Sequence, residues 1–195
     1  MMQVSDVRMF PVILRNSIES IKPDSSEEKM TSTELQGMPM PVAPLKIAYL
    51  EGCLEMAKQV NSAIVKTRKT LAGTRKEASS IHGYVEPTYL LDSYCSRYGT
   101  GEGKAKLNES VRGSDLFILA DVTNYSITYK VCGRINHMSP DNCFQDIKRI
   151  ISAANGKAHR ISVIMPFIYE GRQHKRSGRE SLDCAMGLKE LSDYG

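Results

Sequence analysis

From residue 45 onward, apolar positions gather into short β-branched runs and helical stripes; before that they show no sustained period. Residues 16–44 are rich in Ser, Glu, Lys, Pro and Met. Such a stretch buries too little apolar surface to offset the entropy of ordering it, which predicts a partly disordered amino-terminal arm and linker over residues 1–44. Pro39, Pro41 and Pro44 close the arm. The run Leu45–Leu50 then reads as a strand ending in Glu51-Gly52. Leu54, Ala57, Val60, Ile64, Arg68 and Leu71 recur at helical spacing, with Gly73 as the expected stop. Residues 74–87 are polar and read as loop. Tyr89–Cys95 reads as a second strand, and Lys104–Leu107 as a short one. Between them, Gly99, Gly101 and Gly103 interrupt regular structure and permit positive φ or close approach of a ligand.

Glu109–Asp115 is a tight connection into a buried strand, Leu116–Ala120, with Asp121 at its carboxyl end. Residues 121–137 carry mixed signals: Ile127, Tyr129 and Val131 alternate as in a strand, whereas Asn124, Gly133 and Asn136 suggest an irregular excursion. Ser139-Pro140-Asp141 is a helix start, with a capping serine, proline at the first position and an acid in the first turn. Phe144, Ile147, Ile150, Ile151 and Ala154 form its apolar face, and Asn155-Gly156 its stop. A strand at Ile161–Met165 empties through Pro166 and Gly171 into a loop carrying Arg172, His174, Lys175, Arg176 and Arg179. A last helix from about Arg179 is expected to turn Leu182, Ala185, Met186 and Leu191 inward. Its ending at Tyr194-Gly195 would normally hand over to another strand, so the sequence is expected to be truncated. Strand, helix and strand alternate, which predicts an α/β fold with a mainly parallel sheet flanked by helices. Right-handed crossovers place Asp121 and the basic loop on one rim.

Composition narrows the function classes. The hydrophobic fraction of 41% and charged fraction of 25% are those of an ordinary globular chain. A net charge of +4 with 7% aromatics argues against a nucleic-acid-binding role. The five cysteines are dispersed, without CxxC pairs, which fits a reducing compartment. No apolar run approaches the roughly 18 residues of a membrane span, and no cleavage site is evident, so a cytoplasmic location away from membranes is expected.

The four histidines share no ligand spacing, so no metal site is predicted. Neither a nucleophile elbow nor a GxxxxGK[ST] loop occurs. Asp121 could reach a cation through water or cap its own loop, the commoner role. Two elements carry ligand chemistry. The glycine loop offers Tyr98, Thr100 and Glu102, and the basic loop offers Arg172, Gln173, Lys175 and Arg176. A ring can stack on a base, a carboxylate can accept from an exocyclic amine, and arginine can pair bidentately with phosphate. The plain alternatives are a hairpin turn and a solvated basic turn.

The run from Arg97 to Leu119, RYGTGEGKAKLNESVRGSDLFIL, resembles the early segment of ribose-phosphate pyrophosphokinases (phosphoribosyl pyrophosphate synthetases). That family has an aromatic-x-acid-Gly-Glu nucleotide loop, an E-S-V-R-G turn and a strand. RISVIMPFIYEGRQHKRSGRES resembles the same family's strand, its Arg-Gln basic loop and the start of its next helix. The resemblance covers residues 45–195, and the wording of residues 121–145 is closer to a longer, divergent bacterial branch. It implies a phosphoribosyltransferase-like amino-terminal domain that binds nucleotide over residues 45–195. It also implies transfer of diphosphate from Mg-ATP to ribose 5-phosphate, serving nucleotide biosynthesis, with Mg2+ arriving on the ATP.

By the same resemblance Tyr98, Thr100, Gly101 and Glu102 fall on the adenine-binding segment, and Arg172 and Gln173 on the pair that holds ATP. Thr100 and His174 stand where the family usually has aspartates. In the family the glycine loop completes a neighbouring subunit's site, which implies a homo-oligomer. The family's metal-binding histidine segment, lysine-arginine flap and ribose-phosphate loop are not recognisable in residues 1–195. The expectation is therefore an amino-terminal domain without the carboxyl-terminal catalytic domain, inactive alone. The alternatives are a non-catalytic regulatory or assembly partner of complete synthetase subunits, and a generic nucleotide-binding module.

Overall fold

Short β-branched runs separated by helices resolve into the elements that their periods suggest. The computed structural model describes residues 41–194 except 76, 77 and 79. The expected arm therefore lies, up to residue 40, outside the described residues. In chain order the elements are β1 (Leu45–Tyr49), α1 (Leu54–Thr74), β2 (Ser93–Arg97), β3 (Gly103–Leu107) and β4 (Asp115–Leu119). Then come β5 (Thr128–Val131), β6 (Arg134–His137), α2 (Pro140–Ala154), β7 (Arg160–Ile164) and α3 (Asp183–Ser192). Single 3-10 turns precede α1 at Glu51–Cys53 and follow β7 at Gly171–Gln173.

The central sheet is parallel, ordered β1-β4-β7, with Ile47 opposite Phe117 and Phe117 opposite Ser162. Side chains alternate across it, so each strand feeds two cores. On one face Leu116, Ile118, Ala120, Ile161 and Val163 meet Phe144, Ile147, Ile150 and Ile151 of α2 and Leu191 of α3. On the other, Ile47 and Leu119 meet Ala57 of α1, with Val60, Ile64 and Phe117 alongside. Fully burying a side chain such as Ile118 or Ile147 contributes about 1.5–3 kcal/mol. The cap of α2 forms as its sequence requires. The Asn142 amide donates to Ser139 Oγ at 3.1 Å, Pro140 opens the helix, and Asn155 closes it in the left-handed region at φ 50°. Among the described residues no helix is long and apolar enough to cross a membrane.

Several expectations are corrected. Tyr89–Cys95 is not one strand. Its start lies beside β1, where the Ile47 amide donates to Tyr89 O and the Leu91 amide to Ile47 O, both at 2.8 Å. The chain then leaves the sheet at Asp92, and residues 93–97 pair antiparallel with β3. The helix α1 ends at Thr74, one residue beyond Gly73 and within the usual scatter of a helix end. Arg68 occupies the helical stripe as a cation, not as core: its guanidinium stacks over Tyr84 and Tyr89, 4.8 and 4.7 Å from the ring centroids. The glycine-punctuated run is regular on both flanks, being the turn of the β2–β3 hairpin. The mixed stretch 121–137 contains a second hairpin, β5–β6, whose two-residue turn, Cys132-Gly133, has φ of 47° and 78°. Positive φ at both positions matches the turn twist that hairpins favour.

The last helix begins at Asp183 rather than near Arg179, and its phase differs from expectation. Cys184, Gly187 and Leu191 face inward, whereas Met186 is 59% exposed and Ala185 lies outside. Gly187 decides this: a Cβ there would meet the Tyr169 ring at 2.8 Å, so the helix docks by its glycine against that ring. We expect Ile118→Ala to lose about 2–5 kcal/mol in denaturant unfolding. Met186→Ala should stay within about 0.5 kcal/mol of the parent; a loss comparable to that at Ile118 would refute this phase.

Candidate functional site

The tip of the β2–β3 hairpin presents the glycine loop as a closed turn. The Tyr98 amide donates to Glu102 O at 2.8 Å and the Gly101 amide to Tyr98 O at 2.9 Å. Gly101 has φ 93°, a backbone angle that the residue type makes inexpensive. Tyr98 is 53% exposed, and Thr100 Oγ1 donates to Glu102 Oε2 at 2.9 Å. Thr100 thus holds the Glu102 carboxylate in place with a neutral hydroxyl. A carboxylate at position 100 would instead repel it. The loop packs against the second hairpin, where the Cys132 amide donates to Gly99 O at 3.2 Å.

The base of this loop is held by a charge cluster that the sequence did not single out. Arg97 Nη2 bonds Asp146 Oδ2 at 2.7 Å, and Arg149 Nη1 bonds Asp146 Oδ1 at 2.6 Å. The Arg97 and Asp146 side chains are only 6% and 4% exposed. Their neighbour Gly103 leaves room for both guanidiniums, since a Cβ there would collide with Arg149 and come within 2.8 Å of Arg97 Nη1. Arg97 also stacks on Tyr129 at 5.5 Å. One carboxylate thus bridges two cations and joins the hairpin to α2. The usable signal was a glycine, Gly103, at the foot of a strand, together with an acid inside an amphipathic helix.

The basic loop follows the carboxyl end of β7. Tyr169 anchors its start, stacking on Phe144 at 4.0 Å and donating to Asp141 Oδ1 at 2.6 Å. Burial, then the Asp141 carboxylate, pushes the Tyr169 phenol up and keeps it protonated. Glu170 turns the chain at φ 49°, and the 3-10 turn leaves Arg172 exposed and Gln173 half-buried. His174 Nδ1 lies 2.8 Å from Gly171 O, so this imidazole is occupied locally. The two loops pack against different neighbours. The glycine turn sits beside Cys132, whereas the Arg172–Gln173 turn packs on α3.

At the carboxyl ends of β1 and β4 a cavity of about 470 Å3 opens, bounded by Glu51, Gly52, Asp121, Arg97 and Tyr129. Asp121 caps its own loop, accepting from the Thr123 amide and hydroxyl, both at 3.0 Å. Cys95 and Cys143 border the same cavity. Burial and then the Asp146 carboxylate push the Cys95 thiol up to about 12 and the Cys143 thiol up to about 11. Among the described residues no group of three or more His, Cys, Asp or Glu could hold a metal ion. A second cavity of about 680 Å3, between α1 and the sheet, is walled mainly by Val60, Ile64, Leu71, Phe117 and Ile164.

Residues 45–195 match the family described as the N-terminal domain of ribose phosphate pyrophosphokinase. Ribose-phosphate pyrophosphokinases from Vibrio vulnificus and Vibrio cholerae are each 30% identical to the chain over 108 residues. These matches cover 54% of this chain and 30% of each relative. A crystal structure of phosphoribosylpyrophosphate synthetase from Mycobacterium smegmatis superposes with a TM-score of 0.54 at 21% identity. It covers 78% of this chain and 40% of that one, and the likeness is one of fold. The chain thus spans less than half the length of these relatives.

Two measurements check the site's electrostatics. Asp146→Ala leaves two guanidiniums without their shared anion, and we expect a loss of about 3–5 kcal/mol in unfolding free energy. In native labelling with an alkylating reagent at mildly alkaline pH, Cys132, which is exposed, should react first. Cys95 and Cys143 should lag far behind because their thiols stay protonated; fast labelling of either would contradict the burial described above.

Proposed function

We propose, from the premise that this chain belongs to the family of N-terminal domains of ribose phosphate pyrophosphokinase, that it is the nucleotide-binding part of such an enzyme. The reaction would move the β,γ-diphosphoryl group of Mg-ATP to the 1-hydroxyl of ribose 5-phosphate, leaving AMP. Chemistry of this kind depends on positioning and on neutralising charge that develops on phosphate oxygens. Arg172 would pair with phosphate oxygens and Gln173 would orient the nucleotide. Tyr98 would stack on adenine, Gly101 would keep the turn open to it, and Glu102, steadied by Thr100, would accept from its amine. The Mg2+ would travel on the ATP phosphates as part of the substrate.

The observation that supports this reading is that the two loops pack against different elements. A glycine turn held against Cys132 and an arginine turn held against α3 are two half-sites facing different surroundings. Half-sites of that kind become whole when the glycine turn of one copy meets the basic loop of another, so the working form is a homo-oligomer. Residues 1–195 alone bind nucleotide weakly and do not turn over in this reading, and purified chain should form no AMP from Mg-ATP and ribose 5-phosphate. Detectable diphosphoryl transfer would overturn that part.

The binding test is calorimetric. Arg172→Ala and Tyr98→Ala should each weaken ATP binding, Arg172→Ala by roughly tenfold or more, as befits a charge-assisted pair. Mixing the two variants should restore intact sites, since each supplies the half that the other lacks. Unchanged ATP affinity in Arg172→Ala would remove the basic loop from the site, and failure of the mixture to recover binding would remove the shared arrangement.

A further inference from the structure

The cavity at the rim of β1 and β4 is separate from both loops, and its position is set by topology. From β1 the chain crosses through α1 to Tyr89–Leu91 on one side of β1, then returns to β4 on the other side. The connections therefore leave β1 and β4 in opposite directions, with α1 on one face and α2 on the other. That is the switch point of an open parallel sheet, where the carboxyl ends of the strands leave a crevice for a ligand. The residues immediately after the two strands, Glu51 with Gly52 and Asp121, border it.

The wall has a mixed character that narrows the ligand. Tyr49, Tyr94 and Tyr129 supply ring surface for a planar group. Glu51 and Asp121 supply carboxylate acceptors suited to sugar hydroxyls, and they oppose a polyanion at the mouth. Asp146 is shared by Arg97 and Arg149, so that cluster carries one positive charge in excess. Arg97 Nε has no hydrogen-bond partner although its side chain is only 6% exposed. Arg97 borders the cavity, and a buried unsatisfied donor favours an acceptor on a ligand bound there. A volume of about 470 Å3 lies within the range of small-molecule pockets.

We propose that this cavity binds an uncharged nucleoside. Its base lies against the tyrosines with a ring nitrogen or carbonyl toward Arg97, and its ribose diol bonds Glu51 and Asp121. This site prefers a nucleoside without phosphate, the opposite of the preference expected of Arg172, and it does not rest on the reading of the two loops.

The test is a 1H–15N NMR titration of residues 1–195 with adenosine, 2′-deoxyadenosine and AMP. Adenosine should shift the amides of Leu50, Gly52 and Thr128 saturably. Loss of the 2′-hydroxyl, or Glu51→Gln at an exposed position, should weaken that response by roughly tenfold. Asp121→Asn should act in the same direction, and AMP should bind there more weakly than adenosine. In Arg172→Ala the adenosine response should be unchanged. The proposal is overturned if adenosine gives no saturable shift at these amides at millimolar concentration, or if the shifts are confined to residues 98–102 and 171–174. It is equally overturned if AMP binds the cavity as tightly as adenosine, if Glu51→Gln and Asp121→Asn both leave affinity unchanged, or if Arg172→Ala abolishes the response. Because ATP calorimetry on Arg172→Ala reads the other site, failure of either idea leaves the other standing.

Discussion

Strand β4 is paired in parallel on both of its edges, and the candidate ligand groups at the rim of the central sheet depend on that constraint. Parallel neighbours cannot be joined by tight turns, so each connection must cross a face of the sheet as a helix and return. The crossovers put α1 on one face and α2 on the other, and they deliver the carboxyl ends of β1, β4 and β7 to one rim. Glu51, Asp121 and the Arg172 turn are near that rim for topological reasons, although they are far apart in sequence. The continuous apolar run Leu116–Ala120 stabilises the arrangement by packing side chains into the cores on both faces of the sheet.

A second constraint is electrostatic. The β2–β3 hairpin has no place in the central sheet, and it is secured to α2 by packing of Ala105 and Leu107 and by the Asp146 carboxylate between two guanidiniums. Buried ion pairs contribute less to net stability than their geometry suggests, because desolvation offsets much of the attraction. Their removal is costly in the other direction, since a lone buried charge remains. The cluster ties the hairpin to α2 at one place. It specifies where Arg97, and the turn that begins at Tyr98, must sit relative to α2, and Gly103 is small because two guanidiniums approach its Cα. The same carboxylate helps keep the Cys95 and Cys143 thiols protonated beside the cavity.

Much of the fold was legible along the chain. The periods of Leu45–Tyr49, Leu116–Leu119 and Ile161–Ile164, the Ser139-Pro140 cap and the Asn155 stop all act through neighbours a few residues away, so local pattern and structure agree. The failures have tertiary causes. Tyr89–Cys95 reads as one strand, but Leu90 serves the central sheet and residues 93–97 the hairpin, a division that no local period encodes. The phase of α3 was misread because hydrophobicity favoured Met186, whereas a ring at Tyr169 required the absence of a side chain at Gly187. Arg68 sat in a helical stripe because two tyrosines distant in sequence accept a cation.

The sequence by itself determined the alternation of strands and helices, the glycine loop that carries Tyr98 and Glu102, and the basic loop after the last strand. Those features follow from short-range sterics, capping and burial. Only the tertiary structure decided that the two loops pack against different elements, that Arg97, Asp146 and Arg149 meet beneath the glycine turn, and that a cavity lies between the ends of β1 and β4. These depend on which distant segments pack together, and pairing over such separations is set by the whole core rather than by any stretch of residues.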